Sequence, residues 1–404
     1  MDFLRSDKLQ NVHSDIRGPV FSEAMKMRAE GIDVLRLNSG NPPIFGFDMP
    51  ESIRRAVMDN FDTALGYCDV KGMPDAREAI LQYDLSKGMR DLTVDHIFIG
   101  NGVSELVSIA TTAILNRGDE VLIPAPDYSL WTNATWIAGA KPVHYICDEQ
   151  SHWFPDIADI RKKITPKTRA IVLINPNNPT GVLYNQDILE QLIAVAREFN
   201  LIIFSDEIYD RLVMDGKEHI STAALTDDVM VVTMNGLSKS HVACGFRCGW
   251  MTVTGPKGKY GDLLDGIFQL CSMRICANAI MQLAIPAALA DPESTRAMLV
   301  PGGRIYEQRE ATCRELEKIP GISFVKNDAC FYVFPKLDVK RFHITNDEQF
   351  AMDYLHAKHV MIIPGRGFSW KEPDHFRIVM LPDKDKIAKA ISDLGDFLST
   401  YQQA

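Results

Sequence analysis

The sequence contains no Cys-X-X-Cys pair, no histidine spacing typical of a zinc site, no internal repeat, no low-complexity stretch and no apolar run long enough to span a bilayer. Its eight cysteines, Cys68, Cys147, Cys244, Cys248, Cys271, Cys276, Cys313 and Cys330, are scattered. That pattern argues against a metal centre and fits buried thiols in a reducing compartment. Residues Met1 to Asn11 mix charged and polar side chains without an apolar signal core, so the expected location is the cytoplasm and no membrane partner is expected. Positive charge is in deficit, with 43 Lys and Arg against 53 Asp and Glu and a formal charge of -10. Such a balance argues against general binding of nucleic acid, while leaving room for a local basic patch that holds a small anion.

What is present is a chain of 404 residues, 46% hydrophobic, which exceeds the usual size of one hydrophobic core. Short apolar runs at Ile97 to Gly100, Glu120 to Pro124, Lys141 to Ile146, Ala170 to Asn175, Leu201 to Ser205 and Met230 to Asn235 predict strands. Amphipathic stretches such as Ser104 to Asn116 and Asp187 to Phe199 lie between them. This alternation is the rhythm of an α/β domain with a mostly parallel, helix-covered sheet. The expected division is a large domain over 49–290 and a smaller α+β domain formed by 1–48 with 291–404.

Ligands of such sheets bind beyond the carboxyl ends of the strands. Three polar or glycine-rich segments sit there: Gly100-Asn101-Gly102, Asn175 through Gly181, and Asp206-Glu207. A fourth, Asn235-Gly236-Leu237-Ser238-Lys239, ends the next apolar run and is followed by Arg247. A lysine at a strand end becomes a Schiff-base nucleophile when burial or a nearby cation disfavours its charged form. Most lysines are solvated surface groups, so the rest of a site must accompany it. Asp206 is a candidate anion for a protonated pyridine nitrogen, although an Asp after a strand is often a helix cap, with Glu207 as an alternative capping residue. Gly102, Val103 and Ser104 form a glycine turn that opens a helix, a source of backbone donors for phosphate, with Arg247 as the cation.

Asn177-Asn178-Pro179-Thr180-Gly181, Ser205-Asp206-Glu207-Ile208-Tyr209 and Ser238-Lys239 with Arg247 resemble, in order and spacing, the class I aminotransferases among the fold-type-I pyridoxal-phosphate enzymes. The match runs from about Leu35 to Arg377. The resemblance implies that Lys239 forms an imine with the cofactor and shuttles the proton at the substrate Cα. It implies that Asp206 pairs with the pyridine nitrogen, that Asn178 and Tyr209 bond the ring hydroxylate, and that Tyr128 stacks on the ring. On its own, Tyr128 reads as an ordinary core aromatic. Tyr67 resembles the tyrosine that reaches the phosphate of a neighbouring subunit, which implies a homodimer with shared active sites. Arg377 and Gly40 match the residues around the substrate α-carboxylate, a task suited to a planar bidentate donor. One departure is Gly236, where many relatives carry a phosphate-binding serine three residues before the lysine; Ser238 is the candidate to compensate.

Arg17-Gly18-Pro19 within Asp15 to Val20, the Asn-Gly-Leu-Ser-Lys variant and Asp374-His375-Phe376-Arg377 are similar to bacterial glutamate-pyruvate aminotransferases. Alanine with 2-oxoglutarate is therefore the expected pair. Arg17 and Arg274 are candidates for the cation that meets the distal carboxylate, against the commoner surface or structural role of arginine. Aspartate, aromatic or branched-chain substrates, β-elimination such as C-S lysis, and a non-catalytic ligand-binding protein of the same fold are the rival readings. A purely structural reading would make Lys239, Asp206 and Arg247 an internal ion network.

Overall fold

The computed structural model describes residues 3–13 and 17–403; Asp15 and Ile16 of the amino-terminal motif lie outside the described residues. Its centre is an eight-stranded sheet in the order Ile97–Gly100, Gly249–Thr254, Val231–Gly236, Ile202–Asp206, Thr168–Ile174, Glu120–Ala125, Lys141–Asp148 and Phe154–Pro155. The pairings from Val231–Gly236 through Lys141–Asp148 are parallel. Gly249–Thr254 runs antiparallel to both of its neighbours.

Alternation along these strands builds two cores. Ile171, Leu173, Ile203 and Val231 face one apolar cluster, which includes Leu189, Leu192 and Ile193 of the helix Gln186–Phe199. Ala170, Val172, Phe204 and Val232 face the other, which includes Leu106, Val107 and Ala110 of the helix Val103–Ile114. The helix Gln186–Phe199 starts at Asn185, whose side chain accepts from the Ile188 N–H at 3.0 Å, and stops at Asn200 in the left-handed region.

The predicted strands and helices appear within a residue or two of the expected bounds. The strand Gly249–Thr254 was not anticipated, because its apolar run stands directly behind Arg247 and reads as part of the motif. It also explains Gly236. A Cβ at that position would lie 2.7 Å from the Cys248 carbonyl oxygen and 2.9 Å from Gly249 Cα, so a serine has no room where the two strands close.

A third apolar cluster combines the two ends of the chain, from Val20 to Leu37 and from Leu316 to Leu398. Leu35–Arg36 pairs in parallel with Val360–Met361. Phe376–Val379 lies between Tyr332–Val333 and Ile363–Pro364 and is antiparallel to both. Phe376 and Ile378 enter the third cluster, which turns Arg377 to the opposite face. No helix among the described residues is long and apolar enough to cross a membrane.

Candidate active site

The carboxyl ends of the strands open onto a cleft of about 570 Å³. Val103, Ser104, Tyr128, Asn178, Asp206, Tyr209, Ser238, Lys239 and Arg247 line it, together with Gly40, Arg17 and Arg377 from the terminal segments. Five cationic side chains, Arg17, Arg36, Lys239, Arg247 and Arg377, face one carboxylate, that of Asp206. Such a cleft is built for anions.

Lys239 stands on the turn that follows the strand Val231–Gly236. Leu237 is buried behind it, and the Thr295 hydroxyl donates to the Ser240 carbonyl at 2.9 Å, which fixes the turn. The Lys239 ammonium donates to the Gly40 carbonyl at 2.9 Å. Burial pushes its pKa down to about 8; nearby Cys244 opposes this, while Arg377 and Arg247 add to it. An amine held there is neutral far more often than a surface lysine.

Asp206 ends the neighbouring strand and is only 4% exposed. It caps no helix, because the chain continues as a turn whose Ile208 N–H lies 3.4 Å from Asp206 Oδ1. Burial raises its pKa to about 6. Glu207 is not a cap either. It points away from the cleft and takes Lys87 at 2.8 Å and the hydroxyls of Ser205 and Ser221 at 2.9 Å each.

Gly102, with φ of 83°, precedes the helix Val103–Ile114, whose first N–H groups have no intrahelical acceptor. A Cβ on Gly102 would press on the Arg247 guanidinium, 2.8 Å from its central carbon, so this glycine makes space for that arginine. Arg247 itself sits at φ of 52° and donates to the Cys244 carbonyl at 3.0 Å.

Arg377 is buried between the rings of Tyr332 and Phe368, each 4.7 Å from the guanidinium carbon. One nitrogen donates to Asn178 Oδ1 at 2.8 Å and another to the Asn38 carbonyl at 2.7 Å. Its Nε and the Asn38 Oδ1 are buried without partners among the described residues. The Tyr209 hydroxyl shares a hydrogen bond of 2.9 Å with that of Tyr332.

The donor set therefore fits a phosphate ester on a protonated aromatic ring, with Gly102, Val103, Ser104 and Arg247 at one end and Asp206 at the other. Ser238 faces the cleft as expected. Tyr67 does not line it and is 82% exposed. Arg274 is a correction. It donates to the Ile99 carbonyl at 2.8 Å and lies 3.4 Å from Glu105, outside the cleft, and so cannot meet a substrate there. The buried-thiol expectation is another: Cys68, Cys244 and Cys276 are only half-buried, and Cys244 lines the cleft instead of filling a core. No group of three or more His, Cys, Asp or Glu side chains that could hold a metal ion occurs among the described residues.

Arg36, Asn38, Tyr332 and Cys244 were missed from sequence. Arg36 ends a short strand and Asn38 follows it just past buried Leu37, while Tyr332 stands in an apolar run, so each reads as scaffold.

Residues 32–394 match the family model for aminotransferases of class I and II. The glutamate-pyruvate aminotransferase AlaA of Escherichia coli is 51% identical over 399 residues, covering 99% of this chain and 98% of that protein. An alanine aminotransferase of Mycobacterium tuberculosis is 45% identical over 99% of this chain and 94% of its own length. Among solved structures, an aminotransferase from Escherichia coli superposes with a TM-score of 0.98 at 50% identity over all of both chains. An alanine aminotransferase from Pyrococcus furiosus gives 0.92 at 37% identity, over 98% of this chain and all of that one.

Proposed function

This chain belongs to the class I and II aminotransferases, and from that premise we propose that it moves an amino group between L-alanine and 2-oxoglutarate, giving pyruvate and L-glutamate. The observation that carries the reading is the convergence of Lys239, Asp206, Arg247 and Arg377 on one cleft. The cofactor is pyridoxal 5′-phosphate, which when bound supplies an electron sink and a carbon that accepts and returns the amino group.

Gly102, Val103, Ser104, Ser238 and Arg247 would hold its phosphate, Tyr128 would cover the ring, and Asn178 and Tyr209 would donate to the ring oxygen. Asp206 supplies the fixed negative charge at the ring nitrogen. Arg377 and the Gly40 backbone seat the substrate α-carboxylate, with the Asn38 carbonyl accepting from the guanidinium to hold it in place; a guanidinium already pinned between two rings loses little freedom on binding the carboxylate. Lys239, neutral in a useful fraction at neutral pH, takes and returns the proton at substrate Cα. Arg17, exposed at the cleft edge, meets the distal carboxylate of glutamate and leaves space open for the methyl of alanine.

The active form is a cytoplasmic homodimer in which exposed Tyr67 reaches the phosphate of a second copy. The division into 49–290 and 1–48 with 291–404 belongs to the same reading, supported by the apolar cluster that joins the two chain ends.

The test is a half-reaction. Cofactor-loaded protein is mixed with alanine, glutamate, aspartate or phenylalanine, and loss of the visible band is followed. Rapid loss with alanine and glutamate, restored by pyruvate or 2-oxoglutarate, is the expected result. If only aspartate or phenylalanine acts, the substrate pair falls.

A further inference from the structure

The side chain that touches Asp206 from behind is that of Trp131. It stands on the helix Leu130–Ile137, is fully buried, and packs against Phe204 with ring centroids 5.2 Å apart. Phe204 belongs to the same strand as Asp206, so indole and carboxylate share one rigid support. The indole N–H donates to Asp206 Oδ2 at 3.1 Å, whereas among the described residues Oδ1 receives only the long contact from Ile208. An indole nitrogen donates and never accepts. A proton on Oδ2 would oppose this N–H, so the contact favours the ionised carboxylate and fixes which oxygen turns to the cleft.

We propose that Trp131 is a positioning residue for the cofactor, holding the Asp206 carboxylate oriented and charged for the ring nitrogen. The inference rests on the reading of this cleft as a pyridoxal phosphate site. Phenylalanine would fill much of the same apolar space, so packing alone does not call for a nitrogen here. The same short segment also places Tyr128 in the cleft, one turn before Trp131. It is anchored by the Asp127 N–H donating to the Phe368 carbonyl at 2.8 Å and by the Thr132 hydroxyl donating to Asp127 at 2.7 Å. One helix start thus delivers both the aromatic cover and the donor behind the anion.

The other groups around Asp206 are Glu207, Lys239, Tyr128 and Cys330. Glu207 opposes ionisation of Asp206 and Lys239 favours it. Burial pushes the Tyr128 phenol and the Cys330 thiol up, so both are neutral at working pH. After burial itself, the Trp131 N–H is the largest influence on Asp206, and it acts toward the anion.

The experiment measures cofactor dissociation constants of apo protein by equilibrium dialysis at pH 6 and pH 8, for wild type, W131F and W131H. W131F should bind about 10- to 100-fold more weakly at pH 6, the equivalent of one hydrogen bond to a charged group, and lose less at pH 8. W131H, which returns a ring N–H, should recover part of the loss. An unchanged constant, or an equal loss at both pH values that W131H does not recover, overturns the proposal. A second measurement needs no variant at position 131 to fold. In wild-type apo protein the Trp131 indole resonance, identified by its shift in D206N, should titrate near pH 6, and a flat signal overturns the proposal. If wild-type apo protein takes up no cofactor, the reading of the cleft fails first, and that outcome is distinct from an unchanged W131F.

Discussion

The end of the strand Ile202–Asp206 and the turn that follows it send side chains to two opposite regions. Asp206 and Tyr209 face the cleft. Glu207 and Asp210 face a buried network in which Lys87 lies 2.8 Å from Glu207 and 2.9 Å from Asp210. Tyr83 and Asn235 also donate to Asp210, at 2.5 and 2.7 Å. A cavity of about 650 Å³ opens beside this network, and none of the proposed cofactor or substrate residues lines it. Within the trio of Lys87, Glu207 and Asp210 every charge has an opposite charge in contact, and Lys87 holds both carboxyls below their usual range despite burial. On the cleft side the charges are under-compensated: burial lifts Asp206 to about 6 and drops Lys239 to about 8. The paired side stabilises the turn, and the unpaired side keeps electrostatic capacity for a ligand.

The two lysines should break this comparison open most widely. Lys239→Ala should lose turnover by several orders of magnitude in steady-state assays while its apo form melts no lower than wild type. Lys87→Met should instead lower unfolding free energy by about 3–5 kcal/mol in a urea titration, because two buried carboxylates lose their cation. Near-normal turnover of Lys239→Ala would remove it from the chemistry.

The two aspartates should differ in sign with pH. Asp206 is raised from its ordinary 3.8 to about 6, so its burial costs nothing below the unfolded value and destabilises increasingly as pH rises toward 6. Apo Asp206→Asn should therefore be more stable than wild type at pH 7, on the order of 2–3 kcal/mol, with the advantage fading by about pH 4. Asp210 is depressed, so it contributes stability above the ordinary carboxylate range and loses it as pH falls through that range. Asp210→Asn should be the less stable protein at pH 7, with its deficit shrinking in acid. Melting curves across pH 4 to 8 check both, and deficits of the same sign would erase the distinction.

The smallest contrast concerns two arginines. Arg17→Met should raise KM for glutamate more than for alanine, by about tenfold, the value of one exposed charge-assisted contact. Arg274→Met should leave that ratio unchanged, because Arg274 lies against Ile99 and Glu105 outside the cleft. A selective change in glutamate KM for Arg274→Met would contradict this placement.

Sequence by itself determined the parallel sheet, because alternating apolar runs bury one face in each of two cores and leave polar residues at the strand ends. It also determined the candidates Lys239, Asp206, Asn178 and Arg247, since they lie in compact motifs beside those ends. Tertiary structure alone decided which polar groups meet. It brought Gly40 and Arg377, distant in the chain, to the same cleft, set Glu207 against Lys87, put Arg274 outside the cleft, and closed Gly236 against Cys248. It also turned Trp131, an ordinary core aromatic by sequence, into a donor to Asp206. Periodicity follows from local backbone geometry and is visible in a short window, whereas a buried contact depends on how two distant segments approach, and no window contains both.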